Sequence, residues 1–284
     1  SSRRRHTRYI SVTGVQTCAL PISKASNELS ATDRLQHLIV THYTDTFDPV
    51  QAGEEAPPAT WNSWLIEPQA TAVLQGGEVS DWAHALNHNH PVPAQEVSAN
   101  DMALLPYTSG TTGLPKGCMH LHRQINHNLM AGNYWANSTH ENVVLGVVPM
   151  FHITGIVMVM HGCFGNGCTM VLMPRWDREL AGKLISRRRV THWTNIPTMV
   201  IDLLGSPNFD RYDLTSLVYI GGGGAAMPQA VAQKLQDLYG LNYVEGYGLT
   251  ETAAPSHSNP PDRDRKSTRL NSSHTDISRM PSSA

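Results

Sequence analysis

The sequence predicts an α/β fold, with mostly parallel sheets covered by helices. Three observations carry this. From Val143 to Val244, short apolar β-rich runs alternate with helix-length segments. Helix start signals (Asp177, Pro197, Pro228) and stop signals (Gly205, Gly240) fall between those runs. Each glycine- or hydroxyl-rich loop follows a strand, at the end where open parallel sheets bind ligands.

Element by element, the pattern is loosest between Asn27 and Pro93. Leu35 to Tyr43 reads as a buried strand, Gly53 to Thr60 as an acidic loop, and Gln75 to Ser80 as a turn. Val79 to Leu86 reads as a short helix capped by Ser80. His88-Asn-His90, set before Pro91 and Pro93, reads as a linker histidine pair and not as a metal fragment. Ala103 to Pro106 is a strand entering a polar loop, and Leu121, Ile125 and Leu129 recur as on the buried face of a helix. Val143 to Val148 is a strand, followed by an apolar helix after Gly155. Cys168 to Met173 is the next strand, and Asp177 caps a helix carrying Leu180, Leu184 and Ile185. That helix ends in Arg187-Arg-Arg189, cations that suit a helix C-terminus without any nucleic acid. Strands follow at Val190 to Thr194, Leu217 to Ile220 and Leu241 to Val244, with helices opened by Pro197 and Pro228 between them.

Bulk properties bound the function. The 284 residues suffice for a sizeable core, and no apolar stretch approaches the length of a membrane span. The 4 cysteines form neither a disulfide framework nor a C-x-x-C pair, so a reducing, cytoplasmic setting is the default. Residues 24–264 carry 13 Lys and Arg against 22 Asp and Glu, a net of −9 that argues against a nucleic-acid surface. The ends differ from this body. Residues 1–23 hold 4 arginines and no acid, and residues 265–284 hold 4 basic residues against Asp276. Neither end has a helical or strand period. Both resemble translated sequencing-adapter sequence, with a disordered tail or targeting segment as the other reading, and neither is expected to pack on the body.

The run Tyr107-Thr-Ser-Gly-Thr-Thr-Gly-Leu-Pro-Lys-Gly117 carries the most chemistry. Gly110, Gly113 and Gly117 free the backbone to turn N–H groups inward. Thr108, Ser109, Thr111 and Thr112 add hydroxyl donors, and Lys116 adds a positive charge. Such a loop suits a polyphosphate. It is not the common phosphate loop, because Lys116 follows Pro115 instead of Gly and precedes Gly117 instead of Ser or Thr. A second cluster, Gly246-Tyr-Gly-Leu-Thr-Glu-Thr252, follows the strand ending at Val244. Its glycines allow close backbone approach, Tyr247 offers a flat face, Thr250 a hydroxyl, and Glu251 a carboxylate of the kind Mg²⁺ takes beside phosphate oxygens. By itself it is a turn with an exposed Glu.

Together the two runs resemble the core motifs of the adenylate-forming superfamily, which includes acyl-CoA synthetases, aryl-CoA ligases, luciferases and peptide-synthetase adenylation domains. The resemblance implies part of the large N-terminal domain of such an enzyme over most of residues 27–262. It implies ATP, Mg²⁺ and coenzyme A as cofactors and co-substrates, a small-molecule carboxylic acid as partner, no nucleic acid and no stable membrane insertion; a homo-oligomer is left open. By the same resemblance Thr108, Ser109, Gly110, Thr111, Thr112, Gly113 and Lys116 bind ATP phosphates. Gly223, Gly224 and Ala225 would form the wall between adenine and the acyl pocket, and Glu245, Gly246, Tyr247 and Gly248 would lie at adenine. Glu245 stands where the family has an amide or a small residue. Thr250 would contact the α-phosphate and Glu251 would hold the metal, so Lys116, Thr250 and Glu251 are the expected catalytic set. His152, after Phe151, stands where amino-acid-adenylating relatives carry an Asp, and with Gly222 and Gly223 it is expected at the substrate, favouring an aliphatic acyl group. An aryl acid, a non-catalytic nucleotide-binding domain and a phosphate-loop NTPase are the competing readings. The family's Tyr-x-x-Gly-Asp segment and small C-terminal domain do not occur in these residues, so an internal fragment, inactive alone, is expected.

Overall fold

The computed structural model describes residues 11–12, 19–45, 53–66, 72–88, 91, 94, 96–108 and 113–261. The chain divides into two compact units, residues 1–95 and 96–284.

The first unit is built on a parallel sheet in the order β1 (Ser11–Val12), β2 (His37–Val40), β3 (Glu78–Asp81). Leu35, Leu38, Ala72 and Leu74 form its core, with Ile22, Val40 and Val79 packed against them. Helix α1 (Ala19–Glu28) is tied to β2 through Ser26, whose buried hydroxyl accepts from the Leu35 N–H at 2.9 Å. The boundary expected at residue 23 falls inside this helix. Residues 1–10 and 13–18 of the expected leading tail, and the whole of 265–284, lie outside the described residues. Two short helices follow, α2 (Asn62–Leu65) and α3 (Trp82–Asn87). The helix expected over Val79 to Leu86 is corrected here. Glu78–Asp81 is a strand in register with His37–Val40, and the helix starts only at Trp82. Asp81 supplies the cap instead of Ser80, its carboxylate accepting from the His84 N–H at 2.6 Å.

The second unit is a six-stranded sheet in the order β13-β12-β11-β10-β8-β9. Its members are β8 (Val143–Gly146), β9 (Thr169–Leu172), β10 (His192–Asn195), β11 (Tyr219–Gly222), β12 (Tyr243–Leu249) and β13 (Ala254–Ser258). All neighbours are parallel except β12 and β13. Four short strands precede them: β4 (Met102–Leu104), β5 (Tyr107–Thr108), β6 (Lys116–Gly117) and β7 (His120–Leu121). The helices are α4 (His122–Trp135), α5 (Gly162–Asn166), α6 (Arg178–Arg188), α7 (Pro197–Leu204) and α8 (Gln229–Tyr239). The sheet's centre is apolar, with Leu145, Ile185, Trp193, Val200 and Ile220 fully buried. The apolar helix expected after Gly155 takes a π form over Gly155–His161 before α5 begins, and the Gly162 N–H donates to the Val157 carbonyl five residues back.

Asp177 caps α6 as expected, accepting from the Leu180 N–H at 2.8 Å. The carboxylate two residues on is held more firmly. Glu179 accepts from Ser206 Oγ at 2.6 Å, Tyr212 Oη at 2.5 Å and Asn208 Nδ2 at 2.9 Å. Burial pushes its carboxyl up, but these three bonds and the Arg178 charge outweigh burial and hold it down to about 2. Because the folded value lies below the ordinary 4.5, the stabilisation is full above that pH and is lost as pH falls through about 2. Glu179→Gln is therefore expected to unfold at lower urea than the parent at pH 7, with the gap closing between pH 4.5 and 2. A constant gap across that window would show that the carboxylate charge is not what matters.

Candidate functional site

The hydroxyl- and glycine-rich run folds as a hairpin. Tyr107 pairs with Gly117 and Thr108 with Lys116, and the Cys118 N–H extends the stem by donating to the Pro106 carbonyl at 2.7 Å. Ser109, Gly110, Thr111 and Thr112, between its two strands in sequence, lie outside the described residues. The run does not open straight into a helix. The chain returns along β6, pairs β7 antiparallel with β4, and only then enters α4 at His122. Ile125 and Leu129 lie on the buried face of α4, while Leu121 precedes it, half-buried.

The second motif is also more regular than a turn. Strand β12 runs through it to Leu249, a tight turn holds Thr250–Thr252, and β13 returns antiparallel. Thr252 Oγ1 clasps this turn, accepting from the Leu249 N–H at 2.9 Å and lying 2.8 Å from the Ala254 carbonyl as donor. Ala253 and Ala254 both take positive φ, 57° and 87°, a conformation that costs an L-residue about 1–3 kcal/mol. Two residues that carry no motif in the sequence hold the turn from outside. Buried His120 donates Nε2–H to the Thr250 carbonyl at 2.7 Å, and Asn128 Nδ2 donates to the Thr252 and Ala253 carbonyls at 3.0 and 2.7 Å. The hairpin–helix segment thus grips the Thr-Glu turn. Burial, and after it the Glu251 carboxylate, push the Cys118 thiol up.

The four-glycine run spans the end of β11 and the loop beyond it. At Gly222 a Cβ would lie 1.8 Å from the Asn195 carbonyl oxygen, so no other residue fits between β10 and β11. At Gly248 a Cβ would lie 2.2 Å from the Ala254 carbonyl oxygen, so close pairing of β12 with β13 also needs glycine. Glu245 is engaged locally: its carboxylate accepts from the Met227 N–H at 2.8 Å and fastens the loop that follows the glycines.

These pieces converge on one cavity of about 1350 Å³ at the carboxyl ends of β8, β10, β11 and β12. Thr108, His152, Gly222, Gly223, Gly224, Gly246, Tyr247, Gly248, Thr250 and Glu251 all line it. Lys116, Gly113, Ala225 and Glu245 do not. Gly113 and Lys116 are exposed, and Lys116 faces Thr108 across the hairpin. His152 is exposed, with its Nδ1 accepting from the Thr154 N–H at 3.2 Å. Val148, Ile153, Met158 and Ile196 give part of the remaining lining an apolar surface, beside polar His127, Asn128, Thr194 and Asn195. Glu251 is the single carboxylate among the described lining residues. One carboxylate fits Mg²⁺ carried in on phosphate oxygens and water, and does not fit an all-protein cage.

A parallel sheet covered by helices, with its cavity beyond the strands' carboxyl ends, defines a doubly covered α/β ligand-binding domain. The chain belongs to the AMP-binding enzyme family, whose model matches residues 8–274. A long-chain-fatty-acid–CoA ligase of Bacillus subtilis (strain 168) is 39% identical over 162 residues, 56% of this chain and 29% of that protein. The 4-coumarate–CoA ligase-like 9 protein of Arabidopsis thaliana is 28% identical over 228 residues, 77% of this chain and 40% of that one. The inhibitor-bound N-terminal domain of FACL13 from Mycobacterium tuberculosis superposes with a TM-score of 0.63 at 23% identity, covering 89% of this chain and 58% of that one. The last likeness shows the fold. The chain spans 29% and 40% of the two curated relatives' lengths.

Proposed function

We propose that this chain supplies the nucleotide- and acid-binding part of an ATP-dependent acid–CoA ligase, acting on an aliphatic carboxylic acid. The observation that carries the reading is the meeting of Thr108, Tyr247, Thr250 and Glu251 with the glycine wall in one cavity. In this reaction a carboxylate oxygen bonds to the α-phosphorus of ATP while the bond to pyrophosphate breaks. The coenzyme A thiol then attacks the acyl carbonyl and AMP leaves. Thr250 would bind the α-phosphate, and Tyr247 would lie against adenine. Lys116, cross-strand neighbour of cavity-lining Thr108, would hold the departing pyrophosphate with the loop amides. Glu251 would hold Mg²⁺, which when bound offsets phosphate charge.

The acid is read from the apolar part of the lining. Its apolar side chains, with no Asp, Lys or Arg among the described lining residues, favour an uncharged hydrocarbon chain. His152 at this wall offers no counter-charge of the kind an amino-acid substrate needs. An ATP–pyrophosphate exchange assay with fatty, aryl and amino acids, run on an enzyme that carries this segment, tests the proposal. Exchange is expected with fatty acids foremost. Exchange driven best by aryl acids would overturn the aliphatic reading, and ATP binding without exchange for any acid would point to a non-catalytic nucleotide-binding domain.

A further inference from the structure

We propose that the first unit carries a zinc-class metal site made by His84, His88 and Glu78, separate in chemistry from the Mg²⁺ of the adenylation reading. Among the described residues these three are the cluster whose ligand atoms converge, all lying within 4.8 Å of one another. His84 and His88 stand one turn apart on α3 and at its end, the spacing by which two imidazoles on one helix face bind zinc. Their Nε2 atoms are 3.0 Å apart. The contact is a hydrogen bond between the two rings; two nitrogens each bonded to one zinc at about 2.0–2.1 Å lie roughly 3.0–3.4 Å apart, so a metal could replace that shared proton with only a rotation of the rings. Glu78 Oε1 approaches from β3, 3.8 Å from His84 Nε2, and its other oxygen lies 3.7 Å from His37 Nδ1 on β2. A shift of the carboxylate would close the third bond, leaving further positions for water. The Asp81 cap fixes the first turn of α3 and so the side from which His84 approaches. In sequence His88 and His90 read as linker histidines and not as a metal fragment; the contact with His84 revises this for His88, and His90 lies outside the described residues.

The donor set decides the ion. Two imidazoles and a carboxylate suit Zn²⁺, Ni²⁺ or Cu²⁺, whereas Mg²⁺ asks for oxygens and dehydrates reluctantly. All three side chains are exposed, so entry is open and their replacement disturbs no core. Bound metal would clip β3 to α3. The test is isothermal titration of Zn²⁺ into the untagged full chain, with a thermal melt alongside, in the presence of millimolar Mg²⁺. Binding of one Zn²⁺ that raises the melting temperature is expected, weakened at least about tenfold by His84→Asn and by His88→Asn and less severely by Glu78→Gln. The chain has 15 histidines, so weak background binding is expected in every variant. Zinc affinity unchanged in the His84→Asn/His88→Asn double variant would overturn the site. So would competition by Mg²⁺, or the absence of saturable one-to-one binding to a chain whose circular dichroism shows it folded.

Discussion

Glu251→Ala is expected to lower ATP–pyrophosphate exchange by about 10²–10³-fold in an enzyme carrying this segment, the loss typical for one preorganised charge-stabilising group. The size follows from the site's composition. Glu251 is the single carboxylate among the described residues that line the cavity, so on the proposed metal role no described neighbour could replace it. The substitution removes no packing, because the side chain is exposed. Its turn is held by Thr252, His120 and Asn128, none of which depends on the Glu251 carboxylate. The melting temperature should therefore stay near that of the parent while exchange collapses. Exchange within about threefold of the parent would remove Glu251 from the metal role. A collapse of both fold and exchange would instead mark it as a structural residue.

The second large effect is on stability. Gly222→Ala is expected to destabilise the second unit by about 3 kcal/mol or more, at or beyond the upper end for overpacking. The added carbon would lie 1.8 Å from the Asn195 carbonyl oxygen and 2.7 Å from its carbon, backbone atoms of β10 that cannot rotate away. It would also reach within 3.0 Å of Tyr243 Oη, which donates to buried Asn195 Oδ1 at 3.0 Å. Burial, the Glu245 carboxylate and Tyr219 all push the Tyr243 hydroxyl upward, so it remains a neutral donor. Separating β10 from β11 would break that bond and strand the Asn195 side chain in an apolar interior. For a unit of this size the loss corresponds to roughly 6–12 °C in Tm. Gly162→Ala is the control, since its added carbon meets its nearest neighbour at 3.5 Å. Equal melting temperatures for the two variants would refute the crowding argument.

The parts of the fold legible in the sequence are those where local chemistry and tertiary packing agree. Asp177, Pro197, Gly205 and Gly240 mark helix ends because capping and φ requirements are local, and Gly240 does take φ 67°. Buried parallel strands read as apolar runs because both faces are covered, as at Val143–Gly146. The antiparallel end of the sheet is hidden for the opposite reason. Gly246–Leu249 carries glycines that suggest a loop, and Ala254–Ser258 contains Pro255 and no β-branched residue. What makes them strands is each other. The grip of His120 and Asn128 on the Thr-Glu turn likewise has no signature in sequence. It joins residues 130 and 125 positions apart and depends on how β7 and α4 pack. The cavity groups are legible as motifs; the residues that aim them are not.

The two left-handed alanines after Glu251 bear on how quickly and how tightly a ligand can be engaged. At Ala253 and Ala254 a methyl group stands where glycine would relieve the backbone, so this shape persists only because His120, Asn128 and Thr252 hold it. On the proposed roles, Glu251 and Thr250 would then be positioned before a nucleotide arrives. Ordering that a looser loop would undergo on binding would then fall on the fold instead, leaving more of the contact energy for affinity.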